Sequence, residues 1–154
     1  MDIDGVLNET KWTEADFEQM SWHDCTIHAM AFGNENHQLM IDIDYICKWE
    51  TKPKSFLFWV APSILIFRNV YDLNISSNSL DLTILEIKRE NPRRPKNVEY
   101  IDGLEYDWII ETTLGEITFT SVGYNQLIRN KPVLIKRQNL SLQERGGISF
   151  SPLV

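Results

Sequence analysis

The sequence feature that most constrains the fold is a change of hydrophobic periodicity after Ser21. Before it, Thr13 has the position of a helix N-cap, and Asp16 follows three residues later, as in a capping box. After it, apolar residues recur at every second position, which is the period of a half-buried strand. We therefore predict one short helix over residues 13–21, followed by β-structure.

Two segments with this alternation predict a first β-hairpin. Every second residue is apolar in residues 25–32 and again in residues 39–48, and residues 33–37 between them have turn composition. A later pair of strands is predicted to turn at Leu114–Gly115, and a two-residue loop there sets Ile110 opposite Phe119. The apolar parity of these strands predicts eight core side chains: Ile27, Ile41, Ile43, Tyr45, Trp108, Ile110, Ile117 and Phe119.

The remaining segments complete an outline of seven or eight strands. The dipeptide Asp102-Gly103 is typical of a tight hairpin, whereas Tyr124–Arg129 is predicted to form a helical turn. Gly146-Gly147 indicates a turn before a loosely held tail at residues 144–154. The fold predicted for residues 1–154 is a single, mainly all-β domain. Its architecture is an antiparallel meander-type sandwich or open barrel with a short N-terminal helix.

Charge is distributed unevenly along the chain, whose net charge is −7. Residues 1–50 hold 11 acidic residues against two lysines, and residues 98–116 hold six acidic residues and no base. This balance predicts no general binding of nucleic acid and favours a basic protein partner. The segment Glu86–Asn97 is basic and proline-containing, and we interpret it as a solvated loop, with a specific anion site as the alternative.

The cysteines and the N-terminus predict a cytoplasmic protein. Cys25 and Cys47 are too few for a disulfide framework or a four-thiolate zinc site, so we expect reduced thiols with a packing role. The start of the chain is acidic, unlike a signal peptide. No apolar run approaches the roughly 20 residues that span a bilayer, so no membrane partner is predicted.

Four short motifs carry a resemblance to a family of small, uncharacterised bacterial proteins. They are WHD at Trp22–Asp24, DIDYI at Asp42–Ile46, VAP at Val60–Pro62 and ERGG at Glu144–Gly147. The resemblance covers most of the chain and implies no activity, substrate or catalytic residue. By size and acidity the chain is also similar to β-rich toxin-immunity proteins.

Histidines and aspartates are concentrated near the first hairpin, where they form a candidate catalytic or metal site. A five-residue turn sets His28 opposite Asp42, and a turn two residues longer or shorter sets it beside Asp44 or Met40. The candidate catalytic residues are His23, Asp24, His28, Asp42 and Asp44, since a carboxylate orients an imidazole for general base work. His23, His28, Asp42 and Asp44 are also candidate ligands of a divalent metal, the one cofactor considered. The alternative is a polar, solvent-facing side of the hairpin.

Asn125, Gln126 and Arg129 form a second candidate site. Two amides and a fixed cation near a turn have the chemistry to hold a carboxylate or a phosphate. The alternative is that the amides close the turn and Arg129 pairs with a surface acid.

Three functions are compatible with these observations. The first is a non-enzymatic protein-interaction module that neutralises a basic partner, and it is favoured because phosphate-loop, dinucleotide, GxSxG and HExxH motifs are all missing. The second is a metal-binding protein or hydrolase that uses the His/Asp cluster. The third is a small-ligand-binding β-domain with an aromatic pocket.

Overall fold

Ten strands and one short 3-10 helix follow one another in a computed structural model that describes residues 9–33, 37–53, 55–95 and 103–151. The elements are β1 (Lys11–Thr13), the 3-10 helix (Glu14–Gln19), β2 (Thr26–Gly33), β3 (Gln38–Lys52), β4 (Ser55–Arg68), β5 (Tyr71–Ser77), β6 (Ile84–Arg93), β7 (Glu105–Thr112), β8 (Gly115–Ser121), β9 (Gly123–Ile128) and β10 (Val133–Ile135). The predicted strand at 98–101, the acids Glu99 and Asp102 and the acidic N-terminus lie outside these residues.

The strands form two antiparallel sheets that pack as a sandwich. The first sheet has the order β1-β9-β4-β3-β2, with β10 also beside β4, and the second has the order β5-β8-β7-β6. Hydrogen bonds join the two sheets where β2 and β6 begin, including one from the Ile84 amide to the Cys25 carbonyl at 2.8 Å. The predicted all-β, antiparallel class is therefore confirmed in its sandwich form.

The core lies between the inner faces of the two sheets. All eight side chains predicted from parity are buried there, which confirms the assignment of faces. Phe67 of β4 packs edge-on against Trp108 and Phe119, with ring centroids 5.1 and 4.6 Å away. The inner face of β3 is therefore the one that carries Ile41 and Ile43.

Helix is scarcer than the sequence predicts. The capping box of Thr13 and Asp16 is present, but it starts a 3-10 helix that ends at Gln19. The predicted helical turn at Tyr124–Arg129 is wrong: residues 123–128 are strand β9, which pairs with β1 and β4. Pairing along the edges of β4 and β1 overrides the weak local preference of that segment.

The end of the chain packs against the outer face of the first sheet, where the sequence predicts a loose tail. Residues 137–149, here called the C-terminal segment, contact Asp42 and Asp44 of β3 through Arg145 and through the backbone amides of Leu140 and Ser149. Ion pairs and hydrogen bonds thus hold the predicted tail as far as Ser149.

Candidate functional site

The side chains of Asp42 and Asp44 lie on the outer face of the first sheet, and both are buried there. Asp42 and Asp44 are both 0% exposed, because the C-terminal segment covers them. The alternation that sends Ile41 and Ile43 to the core sends these carboxylates to the opposite side of the sheet. The interpretation of this side as solvent-facing is therefore wrong.

Arg145 is the counter-charge of both aspartates. Its Nη2 and Nη1 donate to Oδ1 and Oδ2 of Asp42 at 2.6 and 2.8 Å, a bidentate pair, and its Nε donates to Asp44 Oδ1 at 3.0 Å. Burial alone lowers the pKa of Arg145, but the hydrogen bonds and charges of Asp42 and Asp44 outweigh this and raise it. The guanidinium therefore stays charged in the interior.

The remaining acceptor positions of the carboxylates are also occupied. Asp44 Oδ2 accepts from the Leu140 amide at 2.8 Å and from His28 Nε2 at 2.6 Å, while Asp42 Oδ2 accepts from the Ser149 amide at 3.2 Å. Burial raises the pKa of Asp44, but the hydrogen bonds from His28 and Leu140 outweigh it, so the pKa is lowered. Both carboxylates thus have their hydrogen-bonding partners within this chain.

His28 contacts one aspartate as predicted, although a β-bulge brings it there. The β2–β3 register shifts between Ile27 and Ala29, so Ala29 stands opposite Asp42 and His28 has no register partner. Asp44 is an ionised acceptor, so His28 Nε2 carries the proton of this hydrogen bond. The His28 side chain is 15% exposed.

His23 and Asp24 contact each other, with His23 Nε2 3.5 Å from Asp24 Oδ2, and not the two aspartates of β3. His23 Nδ1 donates to the Leu85 carbonyl at 3.0 Å, and Asp24 Oδ2 accepts from Gln138. Within the described ranges, no three His, Cys, Asp or Glu side chains gather as they would to hold a metal ion. The predicted metal site is therefore not assembled, and an arginine stands between the two aspartates of β3 instead.

The second predicted site is also divided. Gln126 Oε1 accepts from Trp22 Nε1 at 2.7 Å in the interior, and Asn125 lies on β9 opposite Thr13. Arg129 donates to the carbonyls of Arg145 and Gly147. These three side chains do not converge on one anion site, because β9 is extended rather than turned.

Arg129 adds a second buried cation near Asp42. Its Nε lies 3.8 Å from Asp42 Oδ1 and has no hydrogen-bond partner among the described residues. Burial lowers the pKa of Arg129, and the charge of Arg145 lowers it further, against the opposing effect of Asp42. We call Asp42, Asp44, Arg129 and Arg145 the buried charge cluster.

Most of the basic segment is strand β6, and its bases are engaged. Lys88 Nζ pairs with Glu111 at 2.8 Å, and Arg93 pairs with Glu105 and Asp107. The guanidinium of Arg89 lies over the Phe17 ring, 4.4 Å from its centroid. Among residues 86–95, these three bases have acidic or aromatic partners, so the expectation of a solvated loop is wrong there.

A groove separates the 3-10 helix and the residues after it from the start of β6. It encloses about 230 Å³ and is lined by Phe17, Glu18, Met20, Ser21, Trp22, His23, Leu85, Glu86 and Ile87. The side chains of Glu18 and Glu86 are 83% and 59% exposed, and no lysine or arginine lines the groove. The groove thus has both apolar and polar walls, and the exposed carboxylates of Glu18 and Glu86 form its acidic rim.

Neither the role of Arg145 nor the groove is evident from the local sequence pattern. The ERGG motif contains Arg145, but two glycines beside it have turn composition and say nothing about burial. The indirect signal is the pair of aspartates inside an apolar strand, which require a cation if both faces of that strand are covered. Nothing local identifies which of 15 basic residues supplies it.

Comparisons with protein-family models, curated proteins and solved structures find no match at the significance required. Within the described residues, no helix is long and apolar enough to cross a membrane. The groove and the buried charge cluster are therefore the two features from which a function can be inferred.

Proposed function

We propose that this protein is a non-enzymatic interaction module that binds a basic protein partner, as a toxin-immunity protein does. The observation that carries the proposal is the groove beside the 3-10 helix, whose lining combines apolar side chains with the exposed carboxylates of Glu18 and Glu86. Such a surface is complementary to a basic side chain with apolar neighbours, and charge complementarity speeds the encounter of two proteins.

The position of the acidic side chains at the groove supports a basic partner more strongly than the net charge of the chain does. In the described ranges the exposed residues include eight acids and eight bases, so the surface as a whole is mixed. Glu18 lies 3.6 Å from Arg89, and Glu86 lies 3.7 Å from Lys88. Both contacts are longer than a hydrogen bond, and the high exposure of Glu18 and Glu86 leaves both carboxylates accessible to a partner.

The alternative functions have less support. Asp42 and Asp44, the proposed catalytic or metal-binding carboxylates, are held by Arg145 and by backbone amides of the C-terminal segment. The groove, at about 230 Å³, is smaller than the roughly 300–1,000 Å³ of pockets that hold drug-sized ligands. One protein side chain is a better match for its size.

We assign the interaction to the bacterial cytoplasm, and the state of the cysteines supports this. Cys25 and Cys47 are free thiols. Burial raises the pKa of each to about 12, which makes both of them inert packing residues. Unpaired thiols are typical of a reducing compartment.

Affinity capture from an extract of the source organism tests the proposal. The wild-type protein is immobilised beside a Glu18→Gln/Glu86→Gln variant and beside a Glu90→Gln/Glu116→Gln variant, which removes the same charge from exposed positions outside the groove. We expect a basic protein that the wild type and the second variant retain, that the first variant loses, and that salt releases. If no basic protein is retained by the wild type, the proposal is wrong.

A further inference from the structure

We propose that the groove beside the 3-10 helix receives an arginine side chain of the partner protein. This inference rests on the proposed function, that the partner is basic, and adds the residue type and the place of contact. The groove is lined by Phe17 and Trp22 among its apolar side chains, and by Glu18 and Glu86 among its charged ones. An arginine combines an apolar stem and a planar cation, which suits both kinds of wall.

The chain's own Arg89 shows that Phe17, one of these wall residues, packs against a guanidinium together with Tyr106, which does not line the groove. Its guanidinium carbon lies 4.4 Å from the ring centroid of Phe17 and 4.5 Å from that of Tyr106, within the range of cation–π attraction. Its Nη2 lies 3.6 Å from Glu18 Oε1. Phe17 and Glu18 also line the groove, so an incoming arginine meets the same two residues and shares them with Arg89.

The hydrogen-bond acceptors of the groove favour arginine over lysine. His23 Nδ1 donates to the Leu85 carbonyl, and its Nε2 lies 3.5 Å from Asp24 Oδ2, so both ring nitrogens face groups of this chain. The side-chain acceptors that the groove offers to a partner are therefore the carboxylates of Glu18 and Glu86. A guanidinium presents five N–H donors in a fixed plane and is weakly hydrated, whereas an ammonium is a strongly hydrated point charge.

Three capped pentapeptides test the inference on the full chain. The first is Gly-Leu-Arg-Leu-Gly, the second has lysine in place of arginine, and the third has citrulline, which keeps the shape of arginine without its charge. Binding is followed by NMR through the Trp22 indole N–H, the His23 ring and the Ile87 methyl groups. We expect the arginine peptide to shift these signals, the lysine peptide to bind about two- to fivefold more weakly, and the citrulline peptide to bind more weakly still.

Variants of the rim then locate the contact. Glu18→Gln/Glu86→Gln is expected to weaken binding of the arginine peptide about fivefold or more, since each carboxylate pairs with the cation. Glu90→Gln/Glu116→Gln is the matched control with the same net charge, and we expect less than a twofold change. Both pairs of positions are exposed, so all four substitutions are compatible with the fold.

Three results overturn the inference. One is an arginine peptide that shifts only signals outside the groove, and another is a control variant that loses as much affinity as the rim variant. The third is an arginine peptide that binds no better than the citrulline peptide or does not bind at all. In each case the proposed function stands if affinity capture retains a basic protein, and it falls separately if capture retains none.

Discussion

Arg145 is the residue on which the outer face of the first sheet depends. Its five donor hydrogens have five acceptors: both oxygens of Asp42, Asp44 Oδ1, and the carbonyls of Ile43 and Gly147. A buried charge is tolerated only when it is paired and hydrogen-bonded in this way, because its hydration is lost. We therefore expect that removing one member of the buried charge cluster destabilises the fold more than replacing the whole cluster with apolar residues would.

Replacing Arg145 with methionine should destabilise the protein strongly. Arg145→Met leaves Asp42 and Asp44 buried without their main counter-charge, and we expect the free energy of unfolding to fall by about 3–5 kcal/mol. Urea unfolding followed by tryptophan fluorescence measures the loss. Arg137→Gln, which breaks the exposed pair with Glu144, is the control and should leave the midpoint nearly unchanged. A loss below about 1 kcal/mol for Arg145→Met, typical of a surface change, would contradict the prediction.

Asp44 should make stability depend on pH in the acidic range. Its pKa is lower in the folded protein than its usual value, so its stabilisation is present above the unfolded pKa of about 3.9 and is lost as pH falls through the folded value. We expect the free energy of unfolding of Asp44→Asn to fall less steeply than that of the wild type below about pH 5.

Urea unfolding of the wild type and the variant across the acidic range measures this difference. Glu116→Gln, at an exposed position, is the control and should keep the slope of the wild type. Carbon-13 NMR titration of the Asp44 carboxyl group in the wild type gives an independent answer. Parallel stability curves for wild type and Asp44→Asn would show that Asp44 is not the group responsible.

At the scale of the elements, packing corrects two local expectations about the hairpins. The turn between β7 and β8 is Thr113–Leu114, so Trp108 stands opposite Phe119, and Ile110 stands opposite Ile117. The register differs by two residues from the one predicted, and a shift of two leaves every side chain on its predicted face. The predicted core residues are therefore correct, although the cross-strand pairs predicted between β7 and β8 are wrong.

Gly115 lies in β8, where the backbone of β5 packs closely against it. A Cβ atom built on Gly115 would lie 2.0 Å from the Ser76 carbonyl oxygen and 2.5 Å from the Ser77 Cα, both of them backbone atoms. The glycine expected in a turn is thus a strand residue at which two backbones approach closely. Only the position of β5, fixed elsewhere in the sheet, shows this.

Gly115→Ala should therefore destabilise the second sheet. We expect a loss of about 1–3 kcal/mol or more, because the Ser76 and Ser77 backbone must move to admit a methyl group. Gly103→Ala is the control: its φ of +94° strains an alanine, but open space surrounds it. Urea unfolding of both variants is the measurement. A smaller loss for Gly115→Ala than for Gly103→Ala would show that β5 yields without cost.

Across the whole molecule, segments far apart in the sequence meet at the first sheet. β1 pairs with β9, so Lys11 stands opposite Leu127. The segments Asp42–Ile46 and Glu144–Gly147 meet through the ion pairs of Arg145 with Asp42 and Asp44. Ends and middle of the chain must therefore come together before the sheet is complete.

This topology predicts slow folding. Sandwiches dominated by such non-local pairings fold in roughly milliseconds to seconds, because loop closure costs entropy before the strand contacts repay it. Stopped-flow refolding monitored by tryptophan fluorescence tests the expectation, with Trp22 and Trp108 as buried reporters. Complete refolding within microseconds would contradict it.

The sequence by itself determined the β-class, the start of the 3-10 helix at Thr13 and the inner faces of the strands. These features depend on residues close together in the chain: a cap and its partner three positions on, or alternation between neighbours. The same alternation placed His28, Asp42 and Asp44 on one polar face of the hairpin. The contact of His28 with Asp44, however, depends on a β-bulge that alternation does not show.

Only the tertiary structure decided what covers that polar face. Arg145 lies about a hundred residues from Asp42 and Asp44, and nothing local distinguishes a buried arginine beside two glycines from a solvated one. The groove likewise brings Phe17 and Trp22, which lie in or just after the 3-10 helix, next to Ile87 of the second sheet. Periodicity reports which side of a strand is polar, whereas burial of that side depends on long-range packing, which periodicity does not encode.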